Sequence, residues 1–323
     1  MHKHVNGDYA KAAKDAGLSQ AEIDAYLNYA AQFLGNTGNY KSFGDSKFVP
    51  RLDPAKLDAL SLANSTTREL YGKFKDAIFA GNDIRKLHLG YPSAGHVSTY
   101  YPDSPNIEQD EITAVSDFLE EKRLLPENTR IRKTQHGYEV LIASAQKDPA
   151  AEDRDLAQSE WSMSDGKKVT LVFGDHSKEM ETISYHISEA KKYAANETEV
   201  KMLEEYAKSF TTGSLEHYKE SQVQWIKDKG PAVESDIGFV ETYRDPHGIR
   251  GEWEGFVATV NKERTEAFSK LVSSAPKLIP LLPWKAEFEK DTFLSPDFTS
   301  LEVLTFAGSG YVPTLPSESS VYL

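Results

Sequence analysis

The sequence feature that most constrains the fold is a pair of strand-like runs between residues 230 and 260. The first, V-E-S-D-I-G-F (233–239), alternates apolar and polar residues, as a strand buried on one face does. The second, E-W-E-G-F-V-A-T-V (252–260), is rich in aromatic and branched residues, and D-P-H-G (245–248) supplies a turn between the two. These runs predict an antiparallel hairpin whose carboxylates form an acidic outer rim.

Helical periodicity dominates much of the remaining chain. S-Q-A-E (19–22) matches the Ser-x-x-Glu capping box, and apolar residues follow it at helical spacing as far as Leu34. A second hairpin is predicted from two strand-like runs, T-R-I-R-K-T (129–134) and Y-E-V-L-I-A-S (138–144). A further strand is predicted from K-V-T-L-V-F-G-D-H (168–176). Other helices are predicted near 54–80 with a break at Asn64-Ser65, and near 107–122, 176–195, 198–212, 214–228 and 262–274. The chain is therefore predicted to be α+β, with a helical layer on sheet.

We expect three parts along the chain. Residues 1–130 form a mainly helical N-terminal part with long loops, 131–310 a β-core with a helical layer, and 311–323 a divergent, irregular tail. With 323 residues the chain is long enough to bury a substantial core.

Composition excludes several classes of function. Fifty acidic against 37 basic residues give a net charge of −13, which repels phosphate backbones, so no nucleic acid partner is expected. Without cysteine there is no disulfide, thiolate nucleophile or sulfur-ligated metal. No apolar run of about eighteen residues and no apolar signal region occur, so we expect a cytoplasmic protein with no membrane partner.

The sequence contains no common catalytic motif. The sequence lacks three such motifs: the G-x-S-x-G of serine hydrolases, the phosphate-binding loop and the dinucleotide-binding fingerprint. Ser309 in A-G-S-G is interpreted as a turn residue. His176 and His186 are ten residues apart, which does not put them on one helical face as zinc ligands, so a solvated helix face is favoured. We therefore expect no catalytic residue and no metal ligand from these patterns.

Paired carboxylates remain. Glu234 and Asp236 share a strand face about 7 Å apart at a rise of roughly 3.3 Å per residue. One interpretation is that they are the general acid and base of a glycoside hydrolase. A second is that they form a solvated rim, and a third is that the rim captures a positive group such as the amino terminus of a peptide. The solvated rim is favoured over catalysis. Glu241 falls on the apolar face, where we expect it to satisfy a buried hydrogen bond.

Four long segments resemble the dipeptidyl peptidase III family, whose zinc-dependent members remove dipeptides from the amino termini of short peptides. They are G-N-Y-K-S-F-G-D-S-K-F-V-P (38–50), Y-E-V-L-I-A-S (138–144), D-K-G-P-A-V-E-S-D-I-G-F-V-E-T-Y-R-D-P-H-G (228–248) and P-D-F-T-S-L-E-V-L-T-F-A-G-S-G (296–310). The resemblance covers about 8–310, with fungal or yeast members most similar. Members of the family fold as two lobes, and the resemblance implies the fold of the lower one: a five-stranded β-barrel-like core with surrounding helices.

The resemblance also implies a substrate site. The glutamate of the family's G-P-x-V-E segment, which helps hold the substrate's free amino group, corresponds to Glu234. Asp236 stands where some members have an aromatic residue that contacts substrate, and Ser309 and Gly310 complete the expected substrate-binding residues. The expected partners are short peptides with a free amino terminus.

The family's catalytic segments are not found. The sequence has no counterpart of three family segments: H-E-L-L-G-H, E-E-C-R-A-E and the strand I-P-A-G-I-N-I-P-N-Y-D. After A-G-S-G the chain instead continues as Y-V-P-T-L-P-S-E-S-S-V-Y-L. We therefore expect no zinc in this chain, and a truncated, catalytically incomplete form that keeps part of the peptide cleft. The alternatives are a non-enzymatic peptide- or protein-binding module, or a truncated gene product with an out-of-frame or intron-derived tail.

Overall fold

The computed structural model describes residues 8–36, 38–41, 45–79, 83–150, 153–296, 298–307 and 320–322. Within these ranges the chain folds into nine α-helices and two four-stranded sheets. The α+β class predicted from the sequence is confirmed.

The N-terminal region is helical, as the periodicity predicts. The predicted capping box forms at Ser19, whose backbone N–H donates to Glu22 Oε2 at 2.7 Å while Glu22 N–H donates to Ser19 Oγ at 3.4 Å. Asn64 caps the helix that follows the predicted break. The helices are α1 (Tyr9–Asp15), α2 (Gln20–Gly35), α3 (Pro54–Ser61) and α4 (Ser65–Ile78). They share a small core of their own around Ala13, Ile23 and Leu60.

The first sheet lies in the middle of the chain and has the order β1-β2-β4-β3. Its strands are β1 (Thr129–Lys133), β2 (Gly137–Ala143), β3 (Glu160–Ser162) and β4 (Lys168–Asp175). The predicted hairpin of β1 and β2 is confirmed by the pairing of Lys133 with Tyr138. β2 and β4 are parallel, so both strands end at the same edge of the sheet. Helix α5 (Gln109–Glu121) packs on this sheet through Ile112 and Val115, which are fully buried.

A helical layer connects the two sheets. It consists of α6 (Ser177–Ala190), α7 (Glu197–Thr212) and α8 (Leu215–Trp225), as the sequence predicts. Met180, Tyr206 and Phe210 from this layer form one core cluster with Ala143 of β2. Ile237 and Phe239 of the second sheet pack against the same cluster.

The second sheet contains the stretch with which the sequence analysis began. It is antiparallel, with the order β5-β6-β7-β8, and comprises β5 (Val233–Phe239), β6 (Trp253–Val260), β7 (Ser300–Ala307) and β8 (Ser320–Tyr322). The predicted hairpin of β5 and β6 is confirmed, since Glu234 pairs with Ala258 and Phe239 with Trp253. Helix α9 (Lys262–Leu278) follows β6.

The prediction of a five-stranded, barrel-like core is wrong for the residues that the structure describes. Their strands form two open sheets of four strands each. A barrel needs its two edge strands to pair with a fixed stagger, whereas β5 and β8 are opposite edges of one open sheet. Periodicity predicted the strands, but it carries no information about which edges meet. Among the described residues, each helix is too short or too polar to span a lipid bilayer.

Candidate functional site

Glu234 lies near the start of β5, beside the end of α8. Its carboxylate accepts a hydrogen bond from the indole Nε1–H of Trp225, the last residue of α8. Only 6% of Glu234 is exposed. Burial raises the pKa of Glu234, the Trp225 bond opposes that shift, and the nearby carboxylates of Asp228 and Asp236 raise the pKa further.

Asp236 is held by two tyrosines of the helical layer. The hydroxyls of Tyr218 and Tyr206 donate to its Oδ1 at 3.2 and 3.4 Å, and Gln222 Nε2 donates to the Tyr206 hydroxyl at 2.9 Å. Burial nevertheless raises the pKa of Asp236. Gly238 permits the close approach of α8, because a Cβ at this position would lie 2.6 Å from the Tyr218 ring.

The electrostatic environment of these carboxylates is negative. Glu254 lies opposite Gly238 on β6, and its pKa is raised by burial and then by Glu241 and Asp236. The charged groups that raise the pKa of Glu234 are likewise carboxylates. Such a site favours a bound cation, which would offset the cost of several ionised carboxylates close together.

The solvated rim predicted from the sequence is wrong for Glu234. Alternation correctly put Glu234 and Asp236 on one face, but α7 and α8 cover that face, while the neighbouring Val233 is 38% exposed. Periodicity defines which residues share a face and not what covers it. The sequence also failed to select Trp225, Tyr218 and Tyr206 as site residues. One signal was present: Tyr218 and Trp225 are seven residues apart, two helical turns, and so lie on one face of α8.

Glu241 adds to the negative environment of this group, because its charge raises the pKa of Glu254 and of Asp236. Glu241 lies beyond the end of β5 and is partly exposed, and its hydrogen bond with Tyr243 raises the pKa of that tyrosine. Ser309 and Gly310 lie outside the described residues. His176 caps α6 with a left-handed φ of 53°, and His186 lies within the same helix.

The donor groups among the described residues do not fit a zinc ion. Throughout the part of the chain that the structure describes, no three histidine, aspartate or glutamate side chains are arranged to hold a metal. A zinc site with protein ligands needs three or four such groups around one point.

A separate cavity of about 900 Å³ lies at the other end of β5. Arg130 on its wall forms a bidentate pair with Asp175, with Nε to Oδ2 at 2.7 Å and Nη2 to Oδ1 at 2.6 Å. Arg244 on another wall lies 3.7 Å from Glu252, and burial lowers the pKa of Arg244. The cavity wall therefore contains both arginines and carboxylates, unlike the carboxylate group at Glu234.

Comparison with known proteins assigns the family. The model of peptidase family M49 matches residues 70–315. The chain belongs to this family, the dipeptidyl peptidases III. It is 44% identical over 296 residues to dipeptidyl peptidase 3 of Dictyostelium discoideum and 42% identical over 306 residues to that of Homo sapiens. Each match covers 91% of this chain and 41% of the relative, so the chain spans about two fifths of the length of these relatives. The family predicted from the sequence is confirmed.

A solved structure supports the fold. DPP III from Caldithrix abyssi superimposes with a TM-score of 0.51 at 17% identity, over 92% of this chain and 51% of that one. At this identity the likeness concerns the fold alone. It supports the mixed α+β arrangement of helices and sheets.

Proposed function

We propose that this dipeptidyl peptidase III chain binds the free amino terminus of a short peptide, with Glu234 as the acceptor for the ammonium group. The observation that carries the proposal is the position of Glu234, a buried carboxylate close to the carboxylates of Asp228 and Asp236. An ionised carboxylate in such surroundings is costly, and a bound ammonium group removes much of that cost. Peptide recognition through a terminal amine is an established binding mode.

Asp236 is the second group of the proposed site. It lies on the same strand face as Glu234, roughly 7 Å along β5, and its two tyrosine hydrogen bonds fix its orientation. We assign it the role of holding the peptide beyond the amino terminus, through a backbone N–H or a basic side chain. Ser309 and Gly310 remain proposed contacts by their position in the family pattern alone.

Hydrolysis is not assigned to these residues. The family's H-E-x-x-G-H segment does not occur in the sequence, and the described donor groups do not fit zinc. Positioning groups without an electrophile and a base give little rate enhancement. We expect the purified chain not to hydrolyse a dipeptidyl-arylamide. Turnover that a chelator abolishes would contradict this part of the proposal.

Calorimetry tests the binding site directly. Tetra-alanine with a free amino terminus is titrated into the wild-type chain and into Glu234→Gln, which removes the charge and keeps the shape. We expect the substitution to weaken binding by at least about tenfold, equivalent to roughly 1.4 kcal/mol. Glu216→Gln is the matched control, because Glu216 is an exposed carboxylate on α8. Unchanged affinity in a folded Glu234→Gln chain would contradict the proposal.

One observation favours the alternative, a non-enzymatic protein-binding module. Large apolar side chains are exposed along α9, the segment after it and β7: Leu271, Leu278, Leu281, Trp284, Phe288, Leu294 and Leu304. Several large apolar side chains exposed along one stretch of the chain favour burial against a protein partner. Light scattering at increasing concentration tests whether a second copy covers this face, and Trp284→Ser is expected to weaken any such association.

A further inference from the structure

The N-terminal helices pack around a core of their own. Among the described residues, this core consists of side chains between positions 12 and 79, whereas the clusters around the two sheets consist of side chains from position 91 onward. Relative motion is the default for parts of a chain that do not share a large apolar interface. We propose that α1 to α4, with the connection as far as Leu89, dock and undock as one N-terminal unit, and that Arg244 is the latch that holds this unit docked. The proposal does not rest on the site at Glu234.

Arg244 joins the second sheet to the end of α2. It lies in the connection between β5 and β6, and its Nη2 donates to the carbonyl oxygens of Asn36 at 2.8 Å and of Tyr40 at 2.9 Å. Asn36 follows the last residue of α2, where carbonyls without a helical partner carry partial negative charge and favour a cation. The Arg244 side chain is only 17% exposed, so water competes little for these two bonds.

The backbone that carries Arg244 is firmly anchored. The neighbouring Asp245 has a fully buried side chain. Its carboxylate accepts from the Tyr101 hydroxyl at 2.8 Å and from the backbone N–H groups of His247 at 3.1 Å and Arg250 at 2.9 Å. The Arg244 backbone therefore stays with the sheet core when the N-terminal unit moves, and the change falls on the Arg244 side chain.

A second acceptor lies close to the Arg244 side chain. Glu252 Oε2 is 3.7 Å from Arg244 Nε, which is too long for a hydrogen bond, and this Nε is buried without a hydrogen-bond partner in the described part of the chain. When the two carbonyls move away, a small rotation brings the guanidinium onto the Glu252 carboxylate. Arg244 therefore has one set of acceptors for each state, as a two-state element requires. Both side chains line the cavity of about 900 Å³, so its wall changes with the state of the latch.

The pivot of this motion lies in the connection between the two parts. Leu89 belongs to the N-terminal unit, because its N–H donates to the carbonyl oxygen of Asp45 at 2.9 Å. Tyr91 belongs to the other part, because it packs against the core of the first sheet. Gly90 lies between them and has the widest range of backbone angles. Rotation at Gly90 breaks the bond from its N–H to the Val97 carbonyl, which is 3.0 Å long in the docked state.

The test measures the distance between the two parts. The chain has no cysteine, so Glu69→Cys on α4 and Glu216→Cys on α8, both at exposed positions, take a pair of spin labels without background. Electron–electron double resonance then gives the distribution of distances. Arg244→Met keeps the length of the side chain and removes its donors, and we expect it to raise the fraction of a second, longer distance by at least about fivefold. Arg51→Met, at an exposed arginine of the same unit, is the control, and identical distributions in the two variants would overturn the proposal.

Two further substitutions separate a latch from a merely structural role. Asn36 Nδ2 holds the Tyr40 carbonyl at 2.7 Å, so Asn36→Ala loosens the acceptors and keeps the arginine, which makes it informative even if Arg244→Met unfolds. We expect Asn36→Ala to raise the longer-distance fraction by about threefold, and to add nothing in the Arg244→Met background. Glu252→Gln removes the acceptor of the undocked state, so it is expected to lower that fraction again in the Asn36→Ala chain. Additive effects of Asn36→Ala and Arg244→Met, or a fraction that Glu252→Gln leaves unchanged or raises, would contradict the latch.

Discussion

The indole of Trp225 donates a hydrogen bond to the buried carboxylate of Glu234, so the end of α8 and the start of β5 meet in one polar contact. The bond lowers the pKa of Glu234 against the larger effect of burial. It therefore stabilises the ionised form, which is the form that pairs with an ammonium group.

Trp225→Phe removes this donor and keeps an aromatic ring in place. We expect the affinity for free-amino tetra-alanine to fall by about tenfold or more, because a hydrogen bond to a charged group contributes roughly 1.5 kcal/mol or more. Calorimetry at pH 7 measures the change, with Trp284→Phe at an exposed tryptophan as the control. Equal affinities in the two variants would show that the Trp225 bond does not prepare Glu234.

Glu234→Gln is expected to alter the pH dependence of folding. The pKa of Glu234 is raised above its ordinary value of 4.5, so the folded chain holds this proton more tightly than the unfolded chain. The free energy of unfolding therefore falls as pH rises from the ordinary value through the raised one. Glutamine removes this loss. The free energy of unfolding, measured with denaturant between pH 4 and 8, is therefore expected to decline less in Glu234→Gln than in wild type. A steeper decline in Glu234→Gln would contradict the direction of the shift.

Glu111 is expected to show the opposite dependence. Burial opposes its ionisation, but hydrogen bonds from Lys133, from the backbone N–H of Glu108 and from Tyr138 prevail and lower its pKa to about 2. Its contribution is present above the ordinary value of 4.5 and is lost as pH falls toward about 2. We expect Glu111→Gln to cost about 2 kcal/mol of unfolding free energy at pH 7 and progressively less below pH 4. A cost that is the same at pH 7 and pH 3 would contradict this account.

Gly238→Ala tests the packing of α8 on β5. A Cβ at this position would lie 2.6 Å from the Tyr218 ring, so the ring must move and its bond to Asp236 weakens. We expect a loss of about 1–3 kcal/mol. Gly72→Ala is the matched control in α4, where nothing lies within 4 Å of the new Cβ and helix propensity predicts a gain of roughly 0.5–1 kcal/mol. Thermal unfolding measures the stability change of both variants. An unchanged stability in Gly238→Ala would contradict the close approach of α8 to β5.

The sequence predicted local elements well, because their signals are local. The capping box at Ser19 and Glu22, the break at Asn64 and the hairpin of β5 and β6 depend on neighbouring residues or on simple alternation. Sheet closure depends on contacts between distant edges, and the predicted barrel failed at that level.

The shared strand face of the two candidate site residues was predicted for the same reason. Glu234 and Asp236 were selected from the family pattern and from their shared face, and the structure places them together on β5. Their enclosure by Trp225, Tyr218 and Tyr206 depends on how α7 and α8 pack, which strand periodicity does not encode. The cavity beside Trp253 combines residues from β1, β4, α6 and β6, so only the folded chain brings its walls together.

The most direct measurement for the Glu234 site is the indole N–H signal of Trp225 during titration with tetra-alanine. Capture of the ammonium group by the Glu234 carboxylate changes the acceptor of this indole, so the account predicts a saturable shift that disappears when the peptide is acetylated. A Trp225 signal that stays fixed, or that responds equally to the free and the acetylated peptide, would contradict the assignment of Glu234 as the amino-terminus acceptor.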